Sequence, residues 1–223
     1  MEETPLPSKI LVGHLTSASI MALLGRLAQG LEEKGAQADL YIYGGAALTL
    51  CGTFRNAARD IDAYVPQEDS LKAMRMMAHN VSVSAGMDHS YGPFDNDYES
   101  WLDLNTISLE PMVADAGKYF TTLPFKNAAL RLHTMKAEPQ LALKLLRMSP
   151  TPKDHDDIVN LCDAAGVHDA DRLMDVWLRH APLLPAHVRE HVDPRLFRQQ
   201  WMVYELYKTN KAKRAINPCA TAV

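Results

Sequence analysis

Cysteine is scarce in this chain. Cys51, Cys162 and Cys219 are an odd number with no paired spacing. That argues against a disulfide framework or a zinc knuckle and for a reducing compartment, so a cytoplasmic location is expected. Long apolar runs are also missing. None reaches the roughly 18 residues of a spanning helix, so no membrane partner is expected. The start, Met1-Glu2-Glu3-Thr4-Pro5, lacks the basic and apolar segments of a secretory leader. There is no excess of basic charge: 23 Lys and Arg stand against 27 Asp and Glu, a formal net charge of −4. A bulk polyanion binder is thereby disfavoured, and any nucleic-acid contact must use a local patch. Internal repeats and low-complexity tracts are absent too. What is present is 47% hydrophobic residues in a chain of 223, enough for one folded domain or one domain with a small helical extension.

Residues 1–10 read as an unstructured lead-in. Thr16-Ser17, followed by Ile20, Leu23, Leu24, Leu27 and Leu31, predicts a capped amphipathic helix that stops near Lys34-Gly35. Residues 40–43 form a β-prone run ended by Gly44-Gly45, and 46–50 a short helix. A second strand is predicted over 59–65 and a helix over 67–80. The stretch 81–100 reads as a long loop with a strand near Val81 to Val83. Further strands are predicted at 101–109, 119–123 and 128–134. From Glu138 the pattern is helical, with helices over 138–148, 153–165, 169–180, 185–191 and 194–208. The expected class is α+β: a mixed sheet with helices in residues 1–135, then a helical part over 136–223 with a basic tail.

Two features of the first part point to chemistry. In a strand over 59–65, Ile61, Ala63 and Val65 alternate with Asp60, Asp62 and Tyr64. One face is then apolar, and the other carries two carboxylates about 7 Å apart at Cα. Such a pair can share a cation, and Mg²⁺ takes one or two carboxylates plus phosphate oxygens. The alternative is a strand face with two solvated Asp. Gly44-Gly45 follows a strand and precedes a short helix, where backbone can approach a phosphate closely. A plain turn explains it as well. It is neither a Walker loop nor the three-glycine dinucleotide fingerprint.

The stretch Tyr43-Gly44-Gly45-Ala46-Ala47-Leu48, continued by Arg55-Asn56-Ala57-Ala58-Arg59-Asp60-Ile61-Asp62, resembles the first motif of minimal bacterial nucleotidyltransferases. The particular branch is similar to the abortive-infection type E toxins of type IV toxin–antitoxin systems and their small relatives. Glu138-Pro139-Gln140-Leu141-Ala142-Leu143-Lys144-Leu145-Leu146 and Lys153-Asp154-His155-Asp156-Asp157-Ile158 continue the likeness. It covers residues 40–165. The resemblance implies that Asp60 and Asp62 bind Mg²⁺ and that Gly44, Gly45 and Arg55 shape an NTP pocket. It implies that Lys144 contacts phosphate and that Asp154 or Asp157 lines the site. Asp103 is the candidate third carboxylate. Read from the residues alone, Lys144 either reaches a polar cleft or points to solvent, and Asp154 and Asp157 are also ordinary first-turn acids.

The implied activity is transfer of a nucleoside monophosphate from an NTP to a hydroxyl of tRNA or protein, with an antitoxin as a further partner. Active members of the wider superfamily usually carry Gly-Ser where this chain has Gly44-Gly45-Ala46. A catalytically silent nucleotide- or partner-binding domain is therefore the alternative. Two other motifs compete. His187-Val188-Arg189-Glu190-His191 has the form of an inverted zinc-peptidase motif, but little chain remains downstream for a further carboxylate ligand. Lys208, Lys211, Lys213 and Arg214 interleave with Tyr204 and Tyr207, which suits either an RNA backbone or a solvated tail. Trp101, Trp177 and Trp201 are expected in the core or at an interface.

Overall fold

The computed structural model describes residues 14–51, 55–84, 101–146, 152–190 and 192–216. Two compact units divide the chain, Met1–Lys136 and Ala137–Val223. The first is α+β and the second is helical.

In the first unit, α1 spans Ser17–Glu33. Thr16 is its cap, with Oγ1 accepting from the Ser19 N–H at 3.2 Å. Ile20, Leu23, Leu24, Leu27, Ala28 and Leu31 recur every three or four residues and are fully buried. Each large side chain so buried contributes about 1.5–3 kcal/mol. The helix ends at Gly35, whose φ of 64° lies in the left-handed region. Then come β1 (Ala38–Tyr43), α2 (Gly44–Leu50), β2 (Ile61–Tyr64) and α3 (Glu68–Ser84). β3 (Leu102–Leu104), α4 (Glu110–Val113), α5 (Ala116–Tyr119), β4 (Phe120–Thr122) and β5 (Leu130–Met135) complete the unit.

The five strands make one mixed sheet in the order β3-β2-β1-β5-β4. β1 runs antiparallel to β2 and parallel to β5, β2 is parallel to β3, and β4 is antiparallel to β5. One face of the sheet carries Leu40, Ile42, Ile61, Ala63, Leu102, Leu104, Leu130 and Leu132. They join α1 and Met74, Met77, Ala78 and Val81 of α3 in one core. The other face carries Asp39, Tyr41, Tyr43, Asp62, Asp103, Arg131 and His133 by strand alternation.

Three strand expectations are corrected. Val81 to Val83 belong to α3, because Met74, Met77, Ala78 and Val81 keep the helical spacing into the core and override the β-branched run. The strand expected over 101–109 stops at Leu104. Asn105 takes a φ of 58°, its Oδ1 accepts from the Val65 N–H at 2.7 Å and its Nδ2 donates to the Val65 carbonyl at 2.9 Å. The amide side chain substitutes for the next strand pairing. β2 begins one residue after Asp60, which lies in a bend. The two single-turn helices α4 and α5 were not expected. The lead-in at 1–10, most of the loop at 81–100, the last two residues of the helix expected over 138–148, and Cys219 lie outside the described residues.

The second unit holds α6 (Ala137–Lys144), α7 (Pro152–Ala164), α8 (Ala170–His180), α9 (Ala186–Arg189) and α10 (Phe197–Ile216). Asp169 caps α8 by accepting from the Arg172 N–H at 2.7 Å. Trp177 meets Phe197 edge-on at 5.8 Å. α10 continues past the expected end at 208, so the basic stretch is helical rather than a loose tail. No helix among the described residues is long and apolar enough to cross a membrane.

Glu138 meets three basic side chains of this unit. Its carboxylate meets Arg172 at 2.9 Å, Arg179 at 2.6 Å and His180 at 3.3 Å. Burial pushes its pKa up, but the hydrogen bonds and charges of His180, Arg179 and Arg172 outweigh that and hold it below the ordinary 4.5. A carboxylate depressed in the folded state stabilises at pH above its unfolded value and loses that contribution as pH falls through the folded one. Glu138→Gln is therefore expected to destabilise at pH 6. The gap from the parent, followed by urea denaturation, should narrow as pH drops below 4.5.

Candidate functional site

The sheet's polar face places two candidate residues, Asp62 and Asp103, in one row with Tyr43. Tyr43 of β1 is the register partner of Asp62 on β2, and Asp62 is the register partner of Asp103 on β3. Partners on adjacent strands share a face about 4.8 Å apart. Asp62 and Asp103 thus face the same space from neighbouring strands, although they are far apart in sequence. Two like charges so placed work against the fold by themselves. Both are part-buried.

Tyr43 closes the row. Its hydroxyl is 2.7 Å from Thr106 Oγ1. Burial above all, with the negative charges of Asp62 and Asp103 adding, raises its pKa to about 12 against the hydrogen bonds from Thr106 and Ile107. The phenol stays neutral and adds no third negative charge.

The glycine pair fits against this row. Gly44 has a φ of 65°, and a Cβ there would lie 2.5 Å from Asp62 Oδ2. A Cβ on Gly45 would collide with Arg55 Nη1. One glycine thus admits the Asp62 carboxylate and the next admits the Arg55 guanidinium, an acid and a base on either side of one turn. The two positions differ in tolerance. Gly44→Ala meets both a left-handed backbone and a carboxylate, and is expected to cost about 1–2 kcal/mol. Gly45→Ala displaces only the end of a flexible side chain and should cost less. Urea midpoints of the two variants give the comparison.

Asp60 is placed differently. It flanks β2, and its Oδ2 accepts from Arg59 Nε at 2.9 Å, a pair whose Arg is well exposed. Asp60 thus lies just outside β2, while Asp62 has Asp103 as its register partner on the next strand. The sequence singled out both residues but not their register.

Lys144, Asp154 and Asp157 come together inside the helical unit. Lys144 Nζ stands 3.1 Å from Asp154 Oδ1 and 2.7 Å from Asp157 Oδ2. The two carboxylates are 4% and 2% exposed and the lysine side chain 12%, so this is a buried ionic group. Asp154 and Asp157 share a face of α7 three residues apart, and Lys144 is the last residue of α6.

A cluster that no sequence motif joins lies elsewhere on the polar face. Arg131 clasps Asp39 with Nε and Nη2 at 2.8 and 2.7 Å. His133 Nε2 lies 2.9 Å from Asp39 Oδ1, and its Nδ1 lies 3.1 Å from Thr122 Oγ1. The spacing of Arg131 and His133 within β5 placed them on one face. Only the sheet order brings Asp39 and Thr122 to them.

The competing motifs fare unequally. His187 sits in the four-residue helix α9, and His191 lies outside the described residues. Among the described residues no group of three or more His, Cys, Asp or Glu is assembled to hold a metal ion. In α10, Tyr204 is buried and packs edge-on to His155 at 5.9 Å, Tyr207 meets the same ring at 5.5 Å, and Lys208 pairs with Asp163 at 2.7 Å. Those rings are engaged inside the unit. The side chains of Lys211, Lys213 and Arg214 lie outside the described residues.

Fold and site together define an α+β protein with a Gly-Gly turn set against paired carboxylates on adjacent strands. No family model matches the chain, and no curated protein matches it. A solved structure, an antigenic nucleotidyltransferase-like protein from Paracoccidioides brasiliensis, is similar at a TM-score of 0.40 and 17% identity, over 67% of this chain and 78% of that one.

Proposed function

We propose that this chain is a metal-dependent nucleotidyltransferase whose centre is the Asp62–Asp103 pair beside Gly44-Gly45. The observation that carries the reading is the register of Asp62 with Asp103. Opposed carboxylates on adjacent strands put two acidic groups within reach of one divalent cation. Two carboxylates suit Mg²⁺, which completes its shell with phosphate oxygens and water, and do not suit zinc, which asks for three or four protein ligands. When bound there, Mg²⁺ supplies charge stabilisation to the reacting phosphates.

The chain's own residues do the positioning. Asp62 and Asp103 hold the cation, with Asp60 at the edge of the group. Gly44 leaves the Asp62 carboxylate room at the turn, and Arg55 offers a guanidinium to phosphate oxygens beside Gly45. Tyr43, held neutral, backs the acidic row. The motif order from Tyr43 to Ile158 supports the same reading and extends it to an RNA or protein hydroxyl as acceptor, as in toxins of toxin–antitoxin pairs. Lys144 with Asp154 and Asp157 enters this reading only through that resemblance.

The test is transfer of label. The protein is incubated with Mg²⁺ and each α-labelled NTP in turn, with total tRNA and with protein as acceptors. Label on an acceptor that disappears in Asp103→Asn supports the proposal, and no transfer from any NTP removes it. The Ala46 that replaces the usual Ser favours a second reading, a silent nucleotide-binding domain. Calorimetry showing Mg-NTP binding without transfer would establish that one instead.

A further inference from the structure

We propose that Thr122 is an activated nucleophile, prepared by His133 as base and Asp39 as the residue that orients it. The three side chains stand in line on the polar sheet face, Asp39 Oδ1 to His133 Nε2 at 2.9 Å and His133 Nδ1 to Thr122 Oγ1 at 3.1 Å. Both distances are within the reach that nucleophile, base and orienting group require. The site is separate from the Asp62–Asp103 pair and stands or falls independently of the function proposed for it.

The tautomer follows from the partners. Asp39 is ionised: burial pushes its pKa up, but hydrogen bonds from Arg131 and His133 outweigh that and lower it. An ionised carboxylate only accepts, so in neutral imidazole the proton sits on Nε2 and Nδ1 is left as an acceptor. The Thr122 hydroxyl is then the donor to Nδ1, the direction needed to remove its proton. The ring is also fixed in plane. It stacks on Tyr41 at 4.5 Å with 13° between the planes, and Phe120 meets Tyr41 edge-on at 4.9 Å. Exposure runs the right way along the line. His133 and Asp39 are 12% and 14% exposed, whereas Thr122 is open to solvent.

The electrophile that fits is an activated phosphate ester or phosphoanhydride, since Arg131 puts a guanidinium on the same face of β5. In the step, Thr122 Oγ1 bonds to phosphorus and the bond from phosphorus to the leaving oxygen breaks. The hydroxyl proton passes to His133 Nδ1, and the bonding pair departs with the leaving group. The product is a threonyl phosphoester.

A fluorophosphonate, which loses fluoride in the same displacement, is the probe. The full chain is treated with it and mapped by peptide mass spectrometry, with the neighbouring exposed Thr121 as internal reference. Labelling at Thr122 is expected to exceed that at Thr121 by at least about a hundredfold, the scale of general-base assistance. Thr122→Ser should retain it and His133→Asn should bring it to the Thr121 level. Asp39→Asn should lower it too, because an amide no longer fixes the tautomer, and this variant decides the matter if His133→Asn does not fold. Equal labelling at Thr121 and Thr122, or labelling unchanged in the variant that folds, overturns the proposal.

Discussion

Lys144→Met is expected to destabilise the helical unit by about 3–5 kcal/mol, the usual cost of removing one partner from a buried ion pair. The reason is burial: Lys144 pairs with two carboxylates that are almost wholly buried, and its loss removes that positive partner from both. Placing the substitution alongside Asp154→Asn and Asp157→Asn separates charge from packing. The triple variant has no net charge to bury and should recover much of the loss, whereas a packing role for the lysine stem predicts no recovery. Urea denaturation followed by far-ultraviolet circular dichroism reads both. A K144M protein with parental stability would show that this group is not under charge constraint.

Asp62→Asn is expected to lower nucleotidyl transfer by about a thousandfold with the fold retained. If Asp62 holds the cation as proposed, its loss removes several kcal/mol of charge stabilisation, and each 1.4 kcal/mol is tenfold in rate. The amide keeps the size of the side chain, so the close fit at Gly44 survives. The informative comparison is Asp60→Asn. Asp60 is turned to Arg59 at the edge of β2, so its replacement should reduce transfer much less than replacement of Asp62 or Asp103. Equal losses at Asp60 and Asp62 would place Asp60 in the centre together with Asp62, rather than at its edge.

What the sequence made legible is local. α1 was readable because its cap, its apolar spacing and its terminal Gly35 agree over one continuous segment. Gly44-Gly45 and Asp62 were readable because glycine and acid stand out against a β-prone pattern. Register was not readable. Nothing in residues 59–65 says that Asp62 will lie beside Asp103, because that depends on β3 joining β2 in parallel after a long excursion. The line from Asp39 through His133 to Thr122 needs three strands in the order β1-β5-β4, and no short motif encodes that order. Local propensity also misled at Val81 to Val83, where burial against α1 decided for helix.

Trp101 is fully buried in the first unit, with its Nε1 donating to the Ala78 carbonyl at 3.3 Å. Trp177 and Trp201 belong to the second. Indole emission depends on burial, so the chain carries optical reporters already sorted by unit. With Trp101→Phe, the remaining fluorescence follows the helical unit alone. The difference from the parent then follows the sheet, so the unfolding of each unit can be read without adding any dye.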